Sequence, residues 1–225
     1  MSKPRALVSW SSGKDSAFVV HELRKQGDIQ IVGLLSTVTD MHERVAMHGV
    51  RVALLERQAE ELGLPLYQVM IPNPCPNQIY ERRMAEAIES AQRARVTHIV
   101  FGDLFLEDVR RYRETMLAQT GIQPLFPLWR RSTRELADVM IASGLKAVVT
   151  CVDPQQLSSS FAGKDYDATF LANLPEGVDP CGERGEFHTF VWDGPMFGNP
   201  IQIDIGETVK RDGFIFTDVL SKFRA

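Results

Sequence analysis

The sequence has little cysteine, no long apolar run and no large excess of charge of one sign. Its 225 residues contain three widely spaced cysteines and no C-x-x-C pair. A zinc ribbon and a disulfide framework are therefore excluded, and three reduced thiols are expected. No apolar run approaches the roughly 20 residues of a membrane-spanning helix, and the N-terminus lacks the apolar stretch of a signal peptide. We therefore expect a cytoplasmic protein with no membrane partner.

The charge balance bears on the kind of partner. The chain has 25 Lys and Arg against 29 Asp and Glu, a formal net charge of -4, and no block of basic residues. This composition argues against nucleic acid as a partner. With 44% hydrophobic residues the chain is globular rather than disordered. A small molecule or a protein is the expected partner, and a homo-oligomer stays open.

Short apolar segments alternate with amphipathic helical segments in the first half of the chain. The predicted strands are residues 5–10, 29–35, 66–71 and 98–101. Such alternation predicts an α/β fold with a parallel, doubly wound sheet over residues 1–125. Beyond that point the pattern loosens, and residues 126–225 predict a smaller α+β substrate-binding domain. Folds of the first kind bind ligands at the carboxyl ends of their strands.

Residues 11–16, Ser-Ser-Gly-Lys-Asp-Ser, follow the first predicted strand and favour an anion site. Backbone N–H groups and the positive end of a helix dipole meet where a strand passes into a helix. The serines add hydroxyl donors, Gly13 allows close approach of a phosphate, and Lys14 adds a positive charge. Asp15 would repel a phosphate unless it caps the helix or meets a cation, which bound Mg²⁺ would provide. A serine-rich helix N-cap is the alternative, and no Walker A or G-x-G-x-x-G pattern is present.

This loop resembles the S-G-G-K-D-S signature of the PP-loop ATP pyrophosphatases, with Ser12 in place of one glycine. Residues 181–191, Cys-Gly-Glu-Arg-Gly-Glu-Phe-His-Thr-Phe-Val, resemble the E-G-G-E-F-x-T-F-V segment of the diphthine–ammonia ligase family. Short segments at residues 47–49, 102–103 and 161–164 also fit that family, so the resemblance covers nearly the whole chain. Arg184 stands where the family usually has glycine, and Lys164 where arginine is common.

The resemblance implies a ligase that adenylates a carboxylate with ATP and amidates it with ammonia, releasing AMP and pyrophosphate. It implies ATP and Mg²⁺ as cofactors, ammonium as a partner, and a carboxylate-bearing acceptor such as diphthine, a modified histidine of an elongation factor. Catalytic roles are expected for Lys14 and Asp15, with Asp15 also holding the metal. The expected ATP-binding residues are Ser11, Ser12, Gly13, Lys14, Asp15, Ser16, Ser36, Thr37, His48, Gly102 and Asp103. The expected substrate-binding residues are Lys164, Glu183, Glu186 and Thr189.

Several of these side chains also have simpler interpretations. His48 fits a surface loop equally well, and the two glutamates could form salt bridges with Arg130, Arg131 or Arg184. Asp103 directly follows a buried strand at the ligand-binding edge, where a carboxylate has few structural duties, which favours function. Arg110, Arg111 and Arg113 repeat on a helix with an apolar opposite face and predict a solvated surface.

Two other functions use the same loop. A tRNA-modifying sulfurtransferase would need a persulfide-carrying cysteine, for which Cys151 and Cys181 are candidates, but their isolation and the acidic net charge argue against it. A nucleotide-binding sensor would bind ATP without turnover. Formation of AMP distinguishes a ligase from a sensor.

Overall fold

Residues 3–39, 44–45 and 48–222 are described by a computed structural model. Met47, part of one predicted motif, lies outside the described residues. The strands are β1 (Arg5–Ser9), β2 (Gln30–Thr39), β3 (Arg44–Val45), β4 (Leu66–Ile71), β5 (His98–Val100), β6 (Gln123–Leu125), β7 (Lys146–Val152), β8 (Phe187–Asp193), β9 (Ile203–Arg211) and β10 (Phe214–Ser221). The α-helices are α1 (Lys14–Gln26), α2 (Val52–Leu62), α3 (Asn77–Arg93), α4 (Glu107–Leu117), α5 (Thr133–Ala142) and α6 (Ala168–Asn173).

The first sheet confirms the predicted α/β class. Its parallel strands lie in the order β4-β2-β1-β5-β6, and β3 pairs antiparallel with the end of β2. Alternate residues of β1 face opposite layers, because Ala6 and Val8 pack with α1 and α2 while Leu7 packs with α3. Strands β2 and β4 lie on one side of β1, and the later strands β5 and β6 lie on its other side. The strand order therefore reverses between β1 and β5, and their carboxyl ends flank a topological switch point.

The second sheet is antiparallel, with strand order β8-β7-β10-β9. One hydrophobic core joins it to the first sheet, because Val8 of β1, Phe18 of α1 and Phe190 of β8 belong to the same buried cluster. The predicted boundary at residues 125 and 126 falls between β6 and α5. This shared core places β8 directly beside the loop that joins β1 to α1.

The elements that the sequence pattern missed are short or exposed. The three-residue strand β6 contains Pro124, and α6 has six residues, started by Asp167, whose carboxylate accepts a hydrogen bond from the Phe170 N–H at 2.7 Å. The apolar run at residues 201–205 predicts a strand, and β9 extends beyond it to Arg211, because the second half of this strand is solvent-exposed and mostly polar. Among the described residues no helix combines the length and apolar character needed to span a membrane.

Candidate active site

The loop between β1 and α1 holds the start of α1 open toward a cavity. Gly13 is the N-cap of α1 and has no side chain to cap it, and the first-turn N–H of Lys14 bonds instead to the hydroxyl of Thr189. A Cβ at Gly13 would lie 3.0 Å from the His48 ring and 3.2 Å from the carbonyl oxygen of Thr189. Gly102, just after β5, is equally restricted, since its Cβ would lie 3.2 Å from the backbone nitrogen of Ser16. Both glycines are therefore required by close packing around the helix N-terminus.

Ser12 adopts a backbone conformation that favours glycine. Its φ angle is 71°, and the residue is completely buried. Its hydroxyl has no hydrogen-bond partner among the described residues, although its carbonyl oxygen accepts hydrogen bonds from Val191 N and Gln58 Nε2, both at 3.0 Å. Hydrogen bonds to its carbonyl oxygen therefore hold Ser12, which replaces the signature glycine, in a strained left-handed backbone conformation.

Gln58 connects this loop to the second sheet. Its side chain is fully buried, accepts a hydrogen bond from the Trp10 indole at 2.9 Å, and donates to the carbonyl oxygens of Ser12 at 3.0 Å and Val191 at 2.7 Å. Gln58 was not among the residues predicted from the sequence. The available signal was its helical spacing, four residues after Leu54 on the buried face of α2.

Lys14 is the buried cation of the site. Its ammonium lies 2.8 Å from Asp15 Oδ2 and donates a hydrogen bond to the carbonyl oxygen of Cys181, and the side chain is 3% exposed. Burial lowers the pKa of Lys14, but the charge of Asp15 and its hydrogen bond more than offset this, so the pKa is raised and the group stays protonated. The loop therefore presents a fixed positive charge.

Glu183 faces the same space from the segment before β8. Its Oε1 accepts hydrogen bonds from the backbone N–H groups of Leu104 at 2.7 Å and Phe105 at 3.4 Å. Burial raises the pKa of Glu183 to about 7, against the opposing effect of the Leu104 hydrogen bond. The salt-bridge interpretation does not apply to Glu183, because Arg130 pairs with Glu107 and Arg131 with Glu22. It is confirmed for Glu186, whose carboxylate lies 3.9 Å from the Arg184 guanidinium.

Glu186 and Thr189 are occupied by the protein itself. The Glu186 carboxylate, 2% exposed, accepts hydrogen bonds from Asp179 N at 3.0 Å and Arg184 N at 2.9 Å. The Thr189 hydroxyl accepts a hydrogen bond from Lys14 N at 3.1 Å. Their predicted contact with substrate stays a prediction, and the observed contacts favour positioning of the two loops.

Two neutral histidines form one wall. The His48 and His188 rings lie 4.5 Å apart between centroids, and His48 Nδ1 lies 3.3 Å from the Thr189 carbonyl oxygen. Burial and the charge of Lys14 lower the pKa of His188 to about 4, while burial and His188 lower that of His48. His48 therefore belongs to the cavity rather than to a surface loop. His188 was missed, although its alternation with Phe187 along an extended segment pointed to a second face.

Nine of the predicted site residues line one polar cavity of about 270 Å³. They are Ser11, Lys14, Asp15, Ser16, His48, Gly102, Asp103, Glu183 and Thr189. Thr37 lines an adjoining cavity of about 320 Å³. Ser36 is buried, with a hydroxyl that lacks a partner among the described residues, and belongs to neither wall. Lys164 is exposed and also lies outside both walls.

The adjoining cavity is mostly apolar. Its wall includes Leu35, Ile71, Tyr80, Met84 and Ile99. The two cavities share the residues at their junction, which are Ser9, Ser11, His48, Phe101 and Arg113. A polar chamber beside an apolar one matches the division of a nucleotide into phosphates and base.

The solvated-face prediction is wrong for Arg113. Its side chain is 23% exposed, and its guanidinium lies 5.0 Å from the centroid of the Phe101 ring. Arg111, on the same helix, is exposed as predicted. The apolar pattern predicted helix α4 correctly. It also predicted that Arg113 faces solvent, whereas the guanidinium packs beside the Phe101 ring.

The cysteines do not suit sulfur transfer. Cys151 and Cys181 are both buried, and burial raises the pKa of each thiol to about 12. The Cys181 thiol also donates a hydrogen bond to the carbonyl oxygen of Thr133 at 3.3 Å. A persulfide carrier works through an accessible thiolate, so these thiols argue against the sulfurtransferase alternative.

The chain is similar to known proteins along nearly its whole length. Residues 4–124 match the model of the diphthamide synthase N-terminal domain, and residues 132–219 match that of the C-terminal domain. The chain is 30% identical to a diphthine–ammonia ligase of Danio rerio, over 93% of this chain and 90% of that protein. It is 29% identical to the human protein and 27% identical to the rat protein of the same name, in each case over 96% of this chain and 88% of the relative. The chain therefore belongs to the diphthamide synthase family.

Proposed function

We propose that the polar cavity beside residues 11–16 is the place where this protein activates a carboxylate with ATP and converts it to an amide with ammonia. The reaction class, an ATP-dependent amide-forming ligase, is that of the family. The observation that carries the placement is the junction of a polar cavity around Lys14 with an apolar cavity around Leu35. From the name of the relatives, diphthine is the proposed acceptor.

The chemistry explains why such a cavity is needed. A carboxylate does not react with ammonia directly because its oxygen is a poor leaving group, and an acyl-adenylate supplies AMP as a good one. Formation of the adenylate requires the carboxylate in line with departing pyrophosphate, and fixed donors for the charge that grows there. Lys14 and the hydroxyls of Ser11 and Ser16 would supply those donors.

Magnesium fits the carboxylates of the polar cavity. Asp15 keeps 28% of its side chain exposed, and Asp103 Oδ2 is buried without a hydrogen-bond partner among the described residues. Mg²⁺ is commonly held by one or two carboxylates together with substrate phosphates. Asp15 and Asp103 would hold the cation, which when bound would supply neutralising charge to the phosphates.

Glu183 is suited to handling ammonium. Its Oε1 is fixed by two backbone N–H groups, and Oε2 makes no hydrogen bond within the described residues. With a pKa of about 7, this carboxylate is able to accept a proton near neutral pH. We propose that Glu183 binds ammonium and takes up the proton that must leave before nitrogen attacks the adenylate.

The test is acceptor-dependent formation of AMP. Purified protein would be incubated with α-labelled ATP, Mg²⁺, ammonium and an elongation factor that carries diphthine. We expect AMP, pyrophosphate and an amidated acceptor in equal amounts, the last identified by mass spectrometry. Absence of AMP with every acceptor offered, while ATP still binds, would instead identify a sensor.

A further inference from the structure

Arg113 occupies the junction between the two cavities. It is one of the residues that line both the polar chamber and the apolar chamber. Lys14, by contrast, lines only the polar chamber. In a nucleotide the α-phosphate is the group that joins the nucleoside to the rest of the phosphates. A nucleotide spanning the two chambers would therefore bring its α-phosphate to Arg113.

The guanidinium of Arg113 forms an ion pair with Asp103, but its Nε makes no hydrogen bond within the part of the chain that the structure describes. Its Nε lies 3.6 Å from Asp103 Oδ2, which is too long for a hydrogen bond. Both atoms are buried without any hydrogen-bond partner among the described residues. Such atoms carry a desolvation cost that a bound ligand would relieve. The Phe101 ring, 5.0 Å away, supports the guanidinium from one side.

We propose that Arg113 binds the α-phosphate, so that the phosphate charge is divided between two cations. Lys14 would hold the pyrophosphate that departs, and Arg113 the phosphate that stays with the acyl group. The planar guanidinium offers forked donors that match two phosphate oxygens. This inference rests on the proposed placement of ATP in the two cavities.

Binding measurements separate the two roles without turnover. AMP has only the α-phosphate, whereas an α,β-methylene analogue of ATP has all three phosphates and cannot be cleaved. For Arg113→Gln we expect Kd to rise about 10-fold to 100-fold for both ligands, since each loses the same charge-assisted contact. For Lys14→Ala we expect the analogue to weaken by a similar factor while AMP changes less than about threefold. Titration calorimetry gives both constants.

Two variants act as controls. Arg111→Gln removes an exposed arginine from the same helix and should leave both constants unchanged. Arg113→Lys keeps the charge beside Asp103 but loses the forked donors, so it should fold even where Arg113→Gln does not, and should weaken AMP by about 3-fold to 10-fold. Thermal unfolding of every variant confirms that the measured protein is folded.

Each outcome of these binding measurements supports or contradicts the proposed role of Arg113. Wild-type AMP affinity in either folded Arg113 variant would overturn the inference, as would wild-type protein that does not bind AMP. A loss confined to the analogue would overturn it too, because it would move Arg113 to the pyrophosphate. A protein that binds AMP through Arg113 but forms no amide would retain this site while refuting the proposed ligase activity.

Discussion

Two loops meet at the proposed active site and use their polar groups differently. Residues 11–16 provide no N-cap side chain of their own to α1 and direct Lys14 into the cavity. Residues 179–186 form hydrogen bonds mostly with one another. The Glu186 carboxylate accepts hydrogen bonds from the backbone N–H groups of Asp179 and Arg184. We therefore propose that the first loop receives the ligand, whereas the observed hydrogen bonds of the second loop stabilise its own shape. Glu183 is the polar side chain that the second loop turns toward the ligand space.

The largest effect should come from the first loop. Lys14→Ala removes the buried cation, so pyrophosphate formation with saturating ATP and acceptor should fall by about 10²-fold to 10³-fold. The measurement is the steady-state rate of pyrophosphate release. Lys25→Ala, an exposed lysine in the last turn of the same helix, is the matched control and should retain the wild-type rate. A Lys14→Ala rate equal to that of the control would remove this cation from the mechanism.

A smaller loss should follow from the second loop, and it should affect a later step. Glu183→Gln should lower amide formation by about 10²-fold because the proton acceptor is lost. The ratio of wild-type to variant rates cancels the titration of ammonium itself, and it should rise with pH through the Glu183 pKa of about 7. Glu107→Gln, an exposed glutamate, is the control. A ratio that does not vary with pH would refute the role of base.

Glu183→Gln also tests how far the partly buried Glu183 carboxylate lowers the free energy of unfolding. Its pKa of about 7 in the folded protein lies above the ordinary value of 4.5, so the folded state binds the extra proton between these values. The contribution of Glu183 to stability should therefore fall as pH rises from 4.5 to about 7, and stay lower above that. Above that range Glu183→Gln should be more stable by up to about 3 kcal/mol, and the difference should vanish at low pH. Urea unfolding across this range measures it.

The next largest effect on the rate should come from the hydrogen bond between the Lys14 N–H and the Thr189 hydroxyl, which joins the first loop to β8. Thr189→Val removes the acceptor of the Lys14 N–H and leaves that group buried without a partner. Pyrophosphate formation should fall about tenfold, because the start of α1 loses its hydrogen bond to β8. Thr189→Ser keeps the hydroxyl and should restore most of the rate. A wild-type rate in Thr189→Val together with a loss in Thr189→Ser would show that the methyl group, rather than the hydrogen bond, holds the loops together.

Sequence patterns predicted the parallel sheet and the first loop because both depend on local signals. A buried strand, a short polar loop and a helical stripe follow one another in the chain, and the topology rules then place the loop at the ligand-binding edge. The parts that were missed depend on tertiary contacts. Gln58 and Arg113 lie on amphipathic helices as ordinary polar residues, and only their tertiary contacts place them beside the cavities. The strain at Ser12 was equally hidden, since only the φ angle reveals it.

The smallest predicted effect concerns that strain. Ser12→Gly removes a side chain from a left-handed backbone conformation and removes a buried hydroxyl without a partner. These gains should exceed the added entropy of glycine in the unfolded chain, so stability should rise by about 1 kcal/mol. Asp212→Gly is the matched control, because Asp212 has a φ of 51° on an exposed turn and so tests the backbone part alone. Urea unfolding should show a larger gain for Ser12→Gly, and a net loss would mean that the buried hydroxyl is stabilised where it lies.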